Sequence, residues 1–493
     1  MMMKEFQDLL QLAYFEPLPK KIVVTFLLLA GVFFFTRFKG VRKQINRFFK
    51  LPIPFLLGGL LVAALLIRVF FVLSSPTYFA TTWSDTRVDH DESSLMNIYS
   101  VSIASKGIAV EANGDFSMRR SLGYAYLMGF LYRFFGYSDN FFVYVQVLMG
   151  VSLVGLMFWF AYTLFEKKSI AWCAAFMMAF YPQNIISSNI FLDEYPFFLF
   201  VFATLPLVSM NIQKKSIRYT WLIGLLLGLA TFCRTHALLF PVIFTIAYFW
   251  RRISMRQCVK SFLVTMSIVV LVNMPYAYQV YQHYGVFSMS PAYGSIAFYG
   301  TLNDRATWDN GYIPMSEEEG GVKEFYNEKN PVKQAQVSRQ LAKKWVLENP
   351  MKTARFFIMR NLVLFGFQLS DEMTNLQQVH SVNPEKSFAY QKNHLLRKLK
   401  ALAYGILAML ALGGFLVLLF DKQKKIKTIY SAVILIFLLI GYWMLIHGFF
   451  FGFRKYRWFT DLLFMPLASY FLWWISCCFK NKNFVEMRQF TNK

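Results

Sequence analysis

Long apolar runs separated by short polar links dominate the chain. Stretches 51–75, 141–165, 190–210, 262–281, 402–420, 429–451 and 459–478 each approach or exceed the ~20 residues that cross a bilayer as a helix. Stretch 169–186 pairs tightly with 190–210. The run "WLIGLLLGLATFCRTHALLFPVIFTIAYFW" (221–250) carries a polar break at Arg234–Thr235–His236 and reads as two short spans. A first apolar run, 22–36, is short enough either to span or to lie on the surface. "RRSLGYAYLMGFLYRFFGYS" (119–138) is amphipathic, is interrupted by Arg133, and reads as an interfacial helix. "FFIMRNLVLFGF" (356–367) is too short for a span and reads the same way. Region 282–353 is polar, has Gly and Asn punctuation, and predicts a helix over 331–348. The pattern predicts an all-α polytopic membrane protein with about ten to thirteen spans.

Composition agrees. Of 493 residues, 56% are hydrophobic and 16% charged, where a soluble protein carries about a quarter charged residues. The net charge of +24 does not point to nucleic acid. Its bases cluster in the links at 37–50, 167–168, 214–218, 251–260 and 421–427, where cytoplasmic loops are expected to be basic. Loops 76–118 and 282–399 then share the external side, periplasm or lumen. The N-terminus does not read as a signal peptide. The five cysteines set no disulfide framework and read as packing residues. No repeat of solenoid period is evident, nor paired broken helices of the transporter kind.

Candidate chemistry lies on the external side. "WSDTRVDHDESSL" (83–95) places Asp85, Asp89, Asp91 and Glu92 just after a span. Adjacent carboxylates such as Asp91 and Glu92 repel, which can raise one pKa or let the pair orient a cation or a hydroxyl. A base within reach of an alcohol is what group transfer to that alcohol needs. A solvated acidic loop and a divalent-metal site with His90 are the alternatives; the spacing matches no specific metal motif. Arg119 and Arg120 suit a phosphate at headgroup level or a lipid anchor. Asp193 and Glu194 form a second acidic pair at an external turn, where charge must lie at the hydrocarbon edge or face a polar cavity. Arg234 is expected either to pair with them or to hold a phosphate. His236 beside it reads first as a packing histidine. Stretch 273–301 is tyrosine-rich, Tyr293 included, and suits an aromatic belt or a stacking wall for a sugar. Arg454, Lys455 and Arg457 stand against the positive-inside trend and ask for an anionic partner such as a lipid phosphate.

Several short motifs, in order, resemble the GT-C class of glycosyltransferases that use lipid-linked sugars. The likeness covers roughly 52–475 and is greatest to the bacterial branch grouped with protein mannosyltransferases and the lipid A aminoarabinose transferase. The family's acidic pair matches Asp91–Glu92, and its following motif matches "RSLGYAYLMGFLYRFFG" (120–136). Its helix hairpin matches 182–197, with Glu194 at the acidic place. Gly224, Gly228 and Arg234 match its glycine–arginine stretch, 275–287 its exit from the membrane, 349–366 a late motif, and 454–466 its basic end. This sequence departs from the family at Leu95, where a tyrosine is common and Tyr99 comes later. It departs again at Ser121, where a proline is usual, and near Arg119, where the lipid A branch carries an acid.

The resemblance implies a GT-C-like helical core and an inverting transfer of a sugar from undecaprenyl or dolichyl phosphate to a lipid, glycan or protein acceptor. Asp91 would act as base, with Glu92 assisting. Arg234, Arg454 and Arg457 would contact the donor phosphate. No nucleotide is needed, and a divalent metal stays an open question. The implied organisation is a membrane-associated segment with a basic link (1–51), a catalytic transmembrane module (52–281), an external loop region with an interfacial helix (282–399) and C-terminal transmembrane helices (400–493). The implied location is a plasma membrane, with the active site outside. A lipid-linked-glycan transporter or flippase, and a non-catalytic envelope-assembly protein, are the competing readings.

Overall fold

The computed structural model describes residues 7, 10–11, 17–37, 52–74, 92–111, 114–138, 141–189, 193–308, 311–313, 316–318, 320–366, 388–420, 426–450 and 454–480. The helices follow one another as α1 (Pro17–Arg37), α2 (Ile53–Leu73), α3 (Glu92–Lys106), α4 (Gly123–Phe135), α5 (Phe141–Phe165) and α6 (Lys168–Phe180). Then come α7 (Pro182–Ile186), α8 (Glu194–Lys214), α9 (Thr220–Cys233), α10 (Phe240–Trp250), α11 (Met255–Tyr284) and α12 (Ala292–Thr301). The last are α13 (Lys323–Tyr326), α14 (Pro331–Glu348), α15 (Pro350–Phe365), α16 (Phe388–Phe420), α17 (Ile426–Phe449) and α18 (Trp458–Lys480). Among the described residues the extended pairing is a single bridge, Val110 to Phe116. The protein is an all-α polytopic membrane protein. Among the described residues, six helices are long and apolar enough to cross a membrane, and four shorter apolar segments accompany them.

The bundle has two chemically distinct ends. Lys167 and Lys168, Lys214 and Lys215, and Arg251 and Arg252 lie at turns of one end. Glu194, the break at Arg234 and the C-terminus of α11 lie at the other. There Tyr284 donates to the carbonyl of Phe116, and Ala292 N–H donates to Met118 O at 2.9 Å. The two polar loop regions therefore meet at one end of the bundle.

The polar region after α11 folds around its own small core, in which Tyr299, Leu302, Phe325, Trp345 and Phe356 are buried. Asn330 caps α14 by accepting from Val332 N and Lys333 N, and Pro331 fills the first turn where no N–H is needed. Arg360 anchors this unit to the bundle. Its guanidinium donates to Thr301 O at 2.7 Å and Phe449 O at 3.1 Å, and it is 2% exposed. Burial pushes its pKa down to about 10.

Close helix approach explains two glycines. A Cβ at Gly224 would come to 3.0 Å from Ile268, and one at Gly228 to 2.7 Å from Val272. Small residues four apart let α9 and α11 pack backbone to backbone where lipid supplies no hydrophobic drive. Asn273 donates to Gly228 O at 3.1 Å across the same contact. Gly228→Val is expected to destabilise the bundle by about 1–3 kcal/mol through overpacking. Gly155→Ala, whose Cβ would meet nothing within 4 Å, should not lower stability. Thermal unfolding in lipid–detergent micelles compares the two, and equal midpoints would show that the α9–α11 contact yields freely.

Candidate active site

The site's centre is an ion-paired triad that joins two helix ends. α9 stops at Cys233, and Arg234 adopts an extended backbone (φ −150°, ψ 125°) before the 3₁₀ turn Thr235–Leu239. Arg234 Nε and Nη2 approach Asp193 Oδ1 at 2.9 and 2.8 Å, and Nη2 meets Glu194 Oε1 at 2.7 Å. Arg234 is 8% and Glu194 9% exposed. Of the two expectations for Arg234, pairing with the acids is the one observed. The triad carries one net negative charge. Glu194 also opens α8, where the positive end of the helix dipole favours a carboxylate.

An aromatic wall lies behind the triad. The His236 ring is 5.2 Å from Trp443 and 5.8 Å from His447, and Trp443 packs on Phe459 at 4.5 Å. Tyr442 donates to His236 O at 2.7 Å. His236 packs among these rings. Arg457 is 2% exposed and already engaged. Its Nη1 donates to Gly366 O at 2.8 Å, its Nε lies 3.4 Å from Asp461 Oδ1, and its guanidinium sits over the Tyr404 ring at 3.3 Å. Asp461 therefore stands as a counter-charge beside it within the protein.

Two other arginines differ. Arg119 is exposed, and Arg120 stacks over the Tyr293 ring at 4.5 Å from its centroid. That contact unites two predicted site residues from distant stretches. Asp91 lies outside the described residues, as do Asp85, Asp89 and His90. Glu92 opens α3, but its side chain falls outside the described ones, as does that of Arg454 at the start of the 3₁₀ turn Arg454–Arg457. Any metal held by 85–92 therefore lies beyond what is described. Among the described residues no group of three or more His, Cys, Asp or Glu side chains could hold a metal ion.

Two polar residues carry more structure than their sequence context suggested. Arg68 in α2 is fully buried and donates to Ala64 O at 2.9 Å and Ala179 O at 3.2 Å, so it caps the C-terminal end of α6. Its place within an apolar run was visible; its partners are carbonyls, which no sequence pattern marks. Glu111, one acid among several in its loop, accepts from Tyr99 Oη at 2.8 Å and Ser117 Oγ at 2.6 Å.

The sequence of 119–278 matches the family described as dolichyl-phosphate-mannose-protein mannosyltransferase. This segment resembles a glycosyltransferase. It includes Arg119, Arg120 and the whole Asp193–Glu194–Arg234 triad. The GT-C resemblance read from the motifs is borne out there, without distinguishing its bacterial branch. No curated protein matches the chain. Among solved structures, it is similar to the Archaeoglobus fulgidus oligosaccharyltransferase tethered to an acceptor peptide containing an NVT sequon (14% identity, TM-score 0.47, covering 84% of this chain and 49% of that one). It is also similar to the archaeal oligosaccharyltransferase AglB from Archaeoglobus fulgidus in complex with an inhibitory peptide and a dolichol-phosphate (14% identity, TM-score 0.45, covering 84% and 50%). The chain spans about half the length of these structures.

Removing the guanidinium would take from half-buried Asp193 and buried Glu194 the cation they share. Arg234→Ala is expected to cost about 3–5 kcal/mol, and Arg234→Lys less. Chemical unfolding in micelles measures both, and a neutral Arg234→Ala would show that water already reaches the acids.

Proposed function

We propose that the protein is an inverting glycosyltransferase that moves a sugar from a polyprenyl-phosphate donor to an envelope lipid, glycan or protein at the external face of a plasma membrane. The observation that carries this reading is the family match over 119–278, because it encloses an acidic pair, half-buried Asp193 and buried Glu194, held by an arginine at the loop end of the bundle. The basic turns at the opposite end support the external assignment through the positive-inside rule.

Asp91 acts as the base and takes the proton from the acceptor hydroxyl, with Glu92 assisting. The acceptor oxygen bonds to the anomeric carbon on the face opposite the leaving group, and the bond from that carbon to the phosphate oxygen breaks. The polyprenyl phosphate leaves with the electron pair. Fixed cations can stabilise the charge it gains, and Arg119 and Arg454 are the arginines assigned to it. Asp193 and Glu194 hold Arg234 and shape the floor of the site. A divalent metal at 85–92 would serve the same phosphate.

Purified protein in lipid, offered polyprenyl-phosphate sugars one at a time with envelope extracts as acceptors, is expected to release free polyprenyl phosphate. Asp91→Asn should lower that release by about 100-fold or more, the scale of general-base catalysis, without loss of folding. No release with any donor from well-folded protein would turn the reading toward transport or assembly.

A further inference from the structure

We propose that Glu111, with Arg120 and Tyr293, forms a binding subsite for a neutral sugar ring; this rests on the glycosyltransferase reading. The turn after α3 is built to present one carboxylate. Val110 bridges to Phe116, Glu111 N–H donates to Asp115 O at 2.8 Å, and Gly114, at φ +87°, closes the turn. Tyr99, fully buried on α3, and Ser117 both donate to the same oxygen, Oε1. Burial is the largest cause that holds the Tyr99 phenol above its ordinary pKa, so it keeps its proton and remains a donor. Among the described residues no hydrogen bond reaches Oε2. The half-buried carboxylate is therefore fixed through one oxygen, and the other remains available as an acceptor.

Neighbouring contacts bring an aromatic face and a cation to this turn. Arg119 N–H donates to Ser117 Oγ at 3.4 Å, so the arginine pair starts at the hydroxyl that holds Glu111. Ala292 N–H donates to Met118 O at 2.9 Å, which sets Tyr293 beside that pair, and Arg120 stacks on it. A fixed carboxylate oxygen accepts sugar hydroxyls but repels a phosphate. An aromatic ring offers a face to the ring C–H groups, and a guanidinium donates to ring oxygens. Glu92 opens α3 two turns before Tyr99, about 10 Å along the axis. The ring could belong to the donor or to an acceptor glycan.

The test uses the full chain in lipid nanodiscs and methyl glycosides of mannose, glucose, galactose and N-acetylglucosamine, read by saturation-transfer NMR. At least one glycoside should give a signal that falls five-fold or more in Glu111→Gln and in Tyr293→Ala. It should persist in Glu324→Gln, an exposed acid elsewhere. Gln at position 111 keeps an oxygen for Tyr99 and Ser117, so its thermal midpoint should match the parent. No glycoside signal in the parent, or one unchanged in Glu111→Gln, overturns the subsite. Transfer kinetics separate the two sources: a raised KM for the polyprenyl-phosphate sugar assigns the donor ring, and one for the acceptor assigns the acceptor ring. Glycoside binding without turnover on any donor would keep the subsite and overturn the transferase. Turnover with neither KM changed would do the reverse.

Discussion

One arginine shared by two carboxylates is the constraint around which the membrane module is organised. Ionised groups are costly near hydrocarbon, and a buried charge persists only when paired and hydrogen-bonded. Arg234 meets that condition by leaving the helix, since its extended backbone directs the side chain toward Asp193 and Glu194 at the start of α8. The break divides a long apolar run into α9 and α10, and the ion pair ties the break to α8. Geometry, charge and helix termination are therefore one feature here.

The surroundings strengthen that pair. Phe197, Phe240, Trp443 and Phe459 pack with His236 beside it, with ring centroids 4.5 to 6.5 Å apart in the contacts they share. Such a wall keeps water from one side and lowers the local dielectric, which makes each charge interaction stronger and each unpaired charge more costly. Arg68 and Arg360 use another solution. Both spread their N–H groups over main-chain carbonyls, among them Ala179 O, Thr301 O and Phe449 O at helix ends, where the backbone has acceptors to spare. Arg68 secures the end of α6, and Arg360 joins the loop region to α17. The loop end of the bundle is thus cross-linked by guanidinium groups, and the proposed sugar subsite stands on that frame.

Much of the architecture was legible in the sequence because helices repeat their burial pattern locally. The helix expected over 331–348 is α14, and the Arg–Thr–His interruption marked the split between α9 and α10. Gly224 and Gly228 were visible as a spaced pair, and their contact with Ile268 and Val272 gives that spacing its reason. Excess apolar composition and basic links determined a multi-pass membrane chain and which loops share a side.

Tertiary structure decided which charges meet. Arg234 could have faced a phosphate or the acids, and only the approach of α8 to the break chose the acids. Arg457 read as a cation awaiting an anion, yet Asp461, Tyr404 and Gly366 O surround it. Glu111 was one acid among several until Tyr99 and Ser117 converged on a single oxygen. Local sequence encodes the period and ends of a helix because neighbouring residues alone satisfy its hydrogen bonds. Pairings between distant segments, above all those made to carbonyls that every residue carries, leave no such signature and arise only when the helices pack.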